Sequence, residues 1–308
     1  MTDPVRQIAE AVLYEGYLLW PYRRSAMKNQ HRFTFGGIYP AGWEEDRSAM
    51  QVQCLVEGND PDLDVRVRFL HVVERRLLDA AGQPVDELVS GGERYLSWEE
   101  AVEREAAPGP LSIAAGSVEE PLDGGTIVRS WEALEGRVDV ARGPLRSGLW
   151  RMTVRVENRV RWDGQPRPQA LRRTFCSTHA VLRVRRGAFV SLTDPPQRFA
   201  EEAEACVNDG AWPVLVGAPG ERDTMLASPI ILPDYPSVAP ESPGDLFDGG
   251  EIDALLVHSI RGLTDAEREE MRATDPRARE ILDRSLALGP ERLLDLYGAV
   301  REMRPLED

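Results

Sequence analysis

Between Leu149 and Asn158 the chain reads LWRMTVRVEN, with Trp150, Met152, Val154 and Val156 alternating with Arg151, Thr153, Arg155 and Glu157. Successive side chains of a strand point to opposite faces, so this period of two predicts a half-buried strand with an apolar face on a core and an arginine-rich face in water. The same period runs through DVRVRFLH, where Val65, Val67, Phe69 and His71 alternate with Asp64, Arg66, Arg68 and Leu70. The acidic turn GNDPD separates that run from the segment 51–56, and the pattern predicts a hairpin. Further runs, RRTFCSTHAVLRVRRGAFVSLTD and WPVLVG, follow with glycine and proline between them and no regular alternation of strand and helix. Such a pattern predicts an antiparallel β-rich body, a sandwich or a barrel, in place of a doubly wound sheet.

Helical signals flank this body, which makes the fold class α+β. Asp3 and Pro4 read as an N-cap and first helical residue, and the spacing of Val5, Ile8, Ala9, Val12, Gly16 and Leu19 predicts a helix from Pro4 to about Leu19. The stretch LPDYPSVAPESPGDLFDGGE reads as an irregular connection. Beyond it, Thr264 with Glu267 forms a capping box, and Asp275 with Pro276 and Gly289 with Pro290 open two further helices. The organisation expected is an N-terminal helix plus β-rich body over residues 1–235 and an acidic helical C-terminal segment over 236–308, packed on that body.

A formal charge of −15 over 308 residues repels nucleic acid and anionic membranes, so an anionic partner would need a local basic patch. The opening MTDPVRQIAE has neither a basic stretch nor an apolar one after it, and no apolar run approaches the roughly 20 residues that span a bilayer. A cytoplasmic location is expected. Cys54, Cys176 and Cys206 are dispersed and odd in number, which argues against a disulfide framework and a thiolate metal site.

No phosphate loop, dinucleotide fingerprint, nucleophile elbow or zincin helix is present. In CSTH, Cys176 and His179 are three apart, which on a regular strand places them on opposite faces. Asp60, Asp62 and Asp64 have the spacing of a calcium loop without its glycine and distal glutamate, and read as a solvated turn. His71 and His258 read as satisfied packing residues. No metal and no cofactor is expected.

The stretch Trp20–Pro40 stands out by composition. It holds Arg23, Arg24, Lys28 and Arg32, with Lys28 the only lysine of the chain, interleaved with Trp20, Tyr22, Phe33, Phe35 and Tyr39. Aromatic and arginine side chains concentrate binding energy at interfaces, so Trp20, Tyr22, Arg23, Arg24, Lys28, Arg32 and Tyr39 are the candidate partner-binding residues. An RNA partner fits this local composition, but the global charge opposes it. The competing expectation is that the aromatics fill a core under the first helix and the arginines pair with the acidic tail, which from Glu241 onward carries 17 acidic residues against 9 arginines, a net of −8.

Two parts of the chain resemble a known group. EGYLLWPYRRSAMKNQHRFTFGGIYP, and ILPDYPSVAPESPGDLFDGGEIDALL with LTDAEREEMRATDPRAREIL, resemble uncharacterised actinobacterial proteins encoded beside uptake [NiFe]-hydrogenase structural and maturation genes. The resemblance covers about a third of the sequence and transfers no catalytic residue. It implies a non-catalytic accessory that binds a hydrogenase subunit or maturation factor, and the want of a Cys/His cluster fits a protein binder better than a nickel or iron carrier. The alternative is an enzyme of unfamiliar type, with a pocket in the β-rich body served by Cys176, His179 or the acidic turn.

Overall fold

The computed structural model describes residues 4–30, 35–164, 166–237, 244, 246 and 253–296. In chain order the strands are β1 (Ala49–Glu57), β2 (Asp62–Asp79), β3 (Pro84–Val85), β4 (Glu87–Ser90), β5 (Glu93–Leu96), β6 (Trp98–Ala106), β7 (Gly109–Ile113) and β8 (Gly116–Leu122). They continue as β9 (Gly125–Trp131), β10 (Leu134–Arg146), β11 (Leu149–Asn158), β12 (Cys176–Arg185), β13 (Ala188–Val190), β14 (Trp212–Leu215) and β15 (Thr224–Ser228). The helices are α1 (Pro4–Tyr14), α2 (Met27–Gln30), α3 (Arg167–Arg172), α4 (Ala200–Glu204), α5 (Asp253–Arg261), α6 (Asp265–Thr274), α7 (Pro276–Ala287) and α8 (Pro290–Asp295).

Two mostly antiparallel sheets face each other. One is five-stranded in the order β13-β1-β11-β10-β7; the other runs β14-β15-β12-β2-β9-β8, with β3 and β6 also on β2. Both sheets keep free edges, so the body is sandwich-like and not a closed barrel. The alternation read in β11 is what fills it. Met152, Val154 and Val156 meet Val52 and Val138 of the same sheet and Val65, Val67, Phe69 and Leu182 of the other, all buried. Phe69 and Phe175 pack in this core with ring centres 4.8 Å apart and planes tilted by 33°. Gly136 makes room for them: a Cβ there would lie 2.7 Å from the Phe175 ring and 2.5 Å from the Glu157 carbonyl.

A third, helical layer covers the outer face of the larger sheet. Ala9 and Val12 of α1 pack on Val181, Val214, Val216 and Leu226. Leu13, Tyr14, Tyr17 and Leu18 join Leu256, Val257, Ile260, Met271, Ile281 and Leu282 of the C-terminal helices over Leu70, Val72 and Ala101. Leu70 to Val73 are therefore buried on both faces, which is why the alternation of β2 stops there.

Two expectations are corrected. The first helix ends at Tyr14, because Gly16 turns the chain with φ +73°, a conformation open to glycine. The segments either side of GNDPD are not a hairpin: β1 pairs with β11 and β13, β2 with β12, β6 and β9, and the acidic turn carries the chain from one sheet to the other. Asp60 adopts φ +53° in this crossing and accepts from Arg142 at 2.7 Å.

Candidate functional site

Residues 20–30 of the basic aromatic stretch fold into the seam between α1, the β6 edge and the C-terminal helices, while Ile38 farther on bridges to Phe175 in the sandwich core. Tyr22 and Tyr39 are buried, so they are core residues and not part of an open docking face. Tyr22 donates its hydroxyl to the Leu246 carbonyl at 2.6 Å. Trp20 is half-buried against the same core and meets Tyr22 edge to face. Arg23 reaches Glu267 at 3.1 Å and Glu270 at 3.8 Å, while Arg24 donates to the Ser97 carbonyl at 3.0 Å. Arg23 braces the chain against the acidic tail, as in the competing expectation, whereas the Arg24 guanidinium is held by carbonyls of the β-rich body and not by the tail. Lys28 is exposed, and Arg32, with His31 and Phe33, lies outside the described residues.

The bracing grows out of helix capping. Thr264 and Glu267 form the expected box, with Glu267 Oε2 accepting from the Thr264 amide at 2.9 Å, and the second oxygen of the same carboxylate takes Arg23. Hydrogen bonds from the Thr264 amide and hydroxyl hold Glu267 below the usual carboxylate range. Asp275 accepts from the Arg277 amide with one oxygen and from the Tyr17 hydroxyl with the other, at 2.8 and 2.7 Å. Each cap thus doubles as a tie to the N-terminal segment. Sequence reasoning missed Arg75, which is buried in β2 and donates to the Ala273 and Thr274 carbonyls at the end of α6, at 3.1 and 2.7 Å. Nothing local marks it, since these acceptors lie about 200 positions away in the chain.

Cys176 and His179 share a face, contrary to the reading of CSTH as a regular strand. A bulge shifts the register between them, so that Cys176 pairs with Leu70 and His179 with Arg68, two residues of one side of β2. Ser177 makes the bulge with φ +52° and donates its hydroxyl to the Val12 carbonyl of α1. Both side chains are buried. His179 Nδ1 lies 3.2 Å from the Ser177 carbonyl and Nε2 has no partner among the described residues. His71 is likewise buried, and neither ring nitrogen makes a hydrogen bond of good geometry, although the backbone of Glu132 and Arg172 lies close to the ring. His258, expected to pack, is exposed on α5.

Burial depresses both His71 and His179 to about 4. The unfolded chain, with ordinary imidazoles near 6.5, binds more protons than the native state between these values, so stability is lost as pH falls from about 6.5 to about 4. Each ring contributes on the order of 3 kcal/mol over that window. Urea midpoints should fall steeply between about pH 6.5 and 5, and His71→Leu should flatten the fall. An unchanged midpoint across this range would show that the rings are not neutral in the native state.

Beside α1 the helical layer leaves a gap. Here the outer sheet face carries Arg66 and Arg68 of β2, Val181 and Arg183 of β12, and Glu103 and Glu105 of β6, and with Val5, Arg6 and Ala9 of α1 they line a cleft of about 410 Å³. At its inner end Tyr14 donates to Glu103 at 2.7 Å, Arg68 donates to the same carboxylate at 2.9 Å, and Arg277 donates to the Tyr14 hydroxyl. Burial pushes Glu103 up, but these two bonds outweigh it and keep the carboxyl below its usual range. Among the described residues no three His, Cys, Asp or Glu side chains gather to hold a metal, and no helix is long and apolar enough to cross a membrane. No family model matches the chain, and no curated protein matches it.

Proposed function

We propose that this chain is a cytoplasmic, non-catalytic accessory protein that binds a [NiFe]-hydrogenase subunit or maturation factor. The observation that supports it is spatial. The two stretches that carry the resemblance lie near opposite ends of the chain, yet they meet through Tyr17 and Asp275, Tyr22 and Leu246, and Arg23 with Glu267, pairs more than 200 positions apart. What resembles the hydrogenase-linked proteins is one structural unit, and a surface on that unit is where a shared partner would dock.

We look for that surface among the residues that the braces leave over. Asn29, buried, accepts from the Leu19 amide at 2.9 Å and donates to the Leu19 and Arg23 carbonyls, which fixes α2 on the unit. Met27, 80% exposed, and Lys28 project from this anchored turn. An exposed thioether beside a cation fits an acidic, partly apolar patch on a partner.

The test is affinity purification from the native host with two variants. Met27→Ala with Lys28→Glu should leave the melting temperature unchanged and weaken capture of a hydrogenase component tenfold or more, about 1.4 kcal/mol. Arg23→Ala should lower the melting temperature and spare capture by the folded fraction. Recovery of no hydrogenase subunit or maturation factor by the native protein would overturn the proposal. An enzyme with a pocket in the β-rich body is the alternative, and the bulge that aligns Cys176 with His179 favours it; rapid alkylation of Cys176 in the native protein would bring it forward.

A further inference from the structure

We infer that the recess between α2 and the paired strands β2 and β6 receives an acidic side chain of a partner segment, with Arg24 as its anchor and an apolar neighbour of that side chain resting on Met27. The inference rests on the docking reading for where a partner sits, and adds the chemistry that the place selects. The recess holds about 350 Å³, with Arg24 and Asn29 on one side and Glu74, Arg76, Trp98 and Glu99 on the other. Met27 and Lys28, both exposed, directly precede Asn29 in the chain, so one extended segment reaches the recess and the turn together. The anchor is fixed before any partner arrives. Arg23 pairs with Glu267, the Arg24 amide donates to Thr274 Oγ1 at 3.2 Å, and Ser25 donates to Glu270 through its amide and its hydroxyl. Three successive residues are thus tied to α6, and a preorganised anchor loses little freedom on binding.

The guanidinium of Arg24 is half satisfied. It donates to the Ser97 carbonyl at 3.0 Å and reaches the Asp86 carbonyl at 3.5 Å, both from Nη1. Among the described residues Nε and Nη2 have no partner, and these two N–H groups form the fork that a carboxylate takes with paired, charge-assisted hydrogen bonds. The acids around the recess are engaged elsewhere. Glu74 and Glu99 each take Arg172 at 2.9 Å, and Glu100 takes the buried Arg75 at 2.8 Å and Arg129 at 2.9 Å, which Glu120 balances. Glu87, which Arg94 holds below the usual carboxylate range by a hydrogen bond at 2.7 Å, feels Arg24 only through space. Arg76 is 3.7 Å from Glu74, beyond hydrogen-bond length, and 55% of its side chain is exposed. A carboxylate entering beside Arg24 therefore displaces no ion pair, and Arg76 and Lys28 flank its approach. The formal charge of −15 disfavours nucleic acid, with its dense phosphates, and leaves a carboxylate on a protein segment as the anion that fits.

Fluorescence anisotropy of the whole protein with a labelled peptide of alternating glutamate and leucine tests this, against the same peptide with glutamine for glutamate. The glutamate peptide should bind saturably with a dissociation constant below about 1 mM at low ionic strength, and the glutamine peptide at least about tenfold more weakly. Arg24→Gln should weaken binding about tenfold or more, and Arg24→Lys should recover only part, since an ammonium keeps the charge and loses the fork. Arg76→Gln, at an exposed position, should weaken binding severalfold with the melting temperature in place, which keeps the test open if Arg24→Gln lowers it. Arg155→Gln removes the same charge from the outer face of the smaller sheet and should leave binding unchanged. Equal binding of the two peptides, equal effects of Arg24→Gln and Arg155→Gln, or displacement of the peptide by an equimolar single-stranded oligonucleotide would overturn the recess as a site for an acidic segment. The probe carries no hydrogenase sequence, so the two readings fail separately. Peptide binding without recovery of a hydrogenase component overturns the partner's identity alone, and recovery without peptide binding overturns the recess alone.

Discussion

Val154→Asp should come close to unfolding the protein, while Arg155→Asp next to it should cost about 1 kcal/mol or less. Val154 is 1% exposed at the centre of the sandwich, opposite Val52 on one side and Val140 on the other. An aspartate there forfeits the burial of a valine, ~1.5 to 3 kcal/mol, and adds a carboxyl with no donor in reach. The sum, about 4 kcal/mol or more, is a large share of the roughly 5 to 15 kcal/mol that keeps a domain folded. A buried carboxyl takes up a proton to escape its charge, so the Val154→Asp defect should shrink on mild acidification, opposite to the trend set by the buried histidines. Arg155 is on the outer face, with 46% of its side chain exposed and Glu157 at 2.8 Å. Losing that pair and placing a new acid near Glu157 and Asp139 is a surface effect. Urea midpoints for the two variants decide the matter, and similar losses would mean that β11 does not divide its faces between core and water.

What the sequence reveals about this fold is what local periodicity and local hydrogen bonding control. The faces of β11 follow from its alternation, and the start of α6 follows from Thr264 and Glu267, because both signals span only a few residues. Strand partners are a different matter. The acidic turn at Asp60 has the composition of a hairpin turn, but whether the chain folds back in one sheet or crosses to the other depends on which strands arrive later, here β11 and β12. The bulge at Ser177 depends on a carbonyl of α1, so the shared face of Cys176 and His179 could not be read from CSTH.

The candidate site shows the same limit. Aromatic residues and arginines that wait for a partner have the same composition as those already satisfied within the chain. Arg23 and Tyr22 find their acceptors at Glu267 and Leu246, at separations where a single sequence carries no pairing information. The cleft along α1 draws its arginines from α1, β2 and β12, and only the sheet register brings Arg66 and Val181 side by side.

Arg75→Ala should cost about 3 kcal/mol or more and loosen the helical layer before it loosens the sandwich. Its guanidinium is 4% exposed and donates to the Leu96, Ala273 and Thr274 carbonyls while pairing with Glu100 at 2.8 Å. The last carbonyls of a helix have no partner within it, so Arg75 supplies what the end of α6 lacks, and its positive charge also complements the negative end of the helix dipole there. Removing it strands these buried acceptors. Glu100 keeps Arg129 at 2.9 Å, which confines the damage to the α6 side. Arg75→Lys should recover only part of the loss, because one ammonium cannot reproduce a fork that serves three carbonyls and a carboxylate. Since α6 carries Glu267 and Glu270, the acceptors for Arg23 and Ser25, its release should be transmitted to the Trp20 segment. Hydrogen exchange on the variant should therefore accelerate in α6 and in residues 17–30 while β1, β11 and β12 stay protected. Uniform acceleration across all of these would place Arg75 in the global core, and an unchanged urea midpoint would remove it as the brace between sheet and helices.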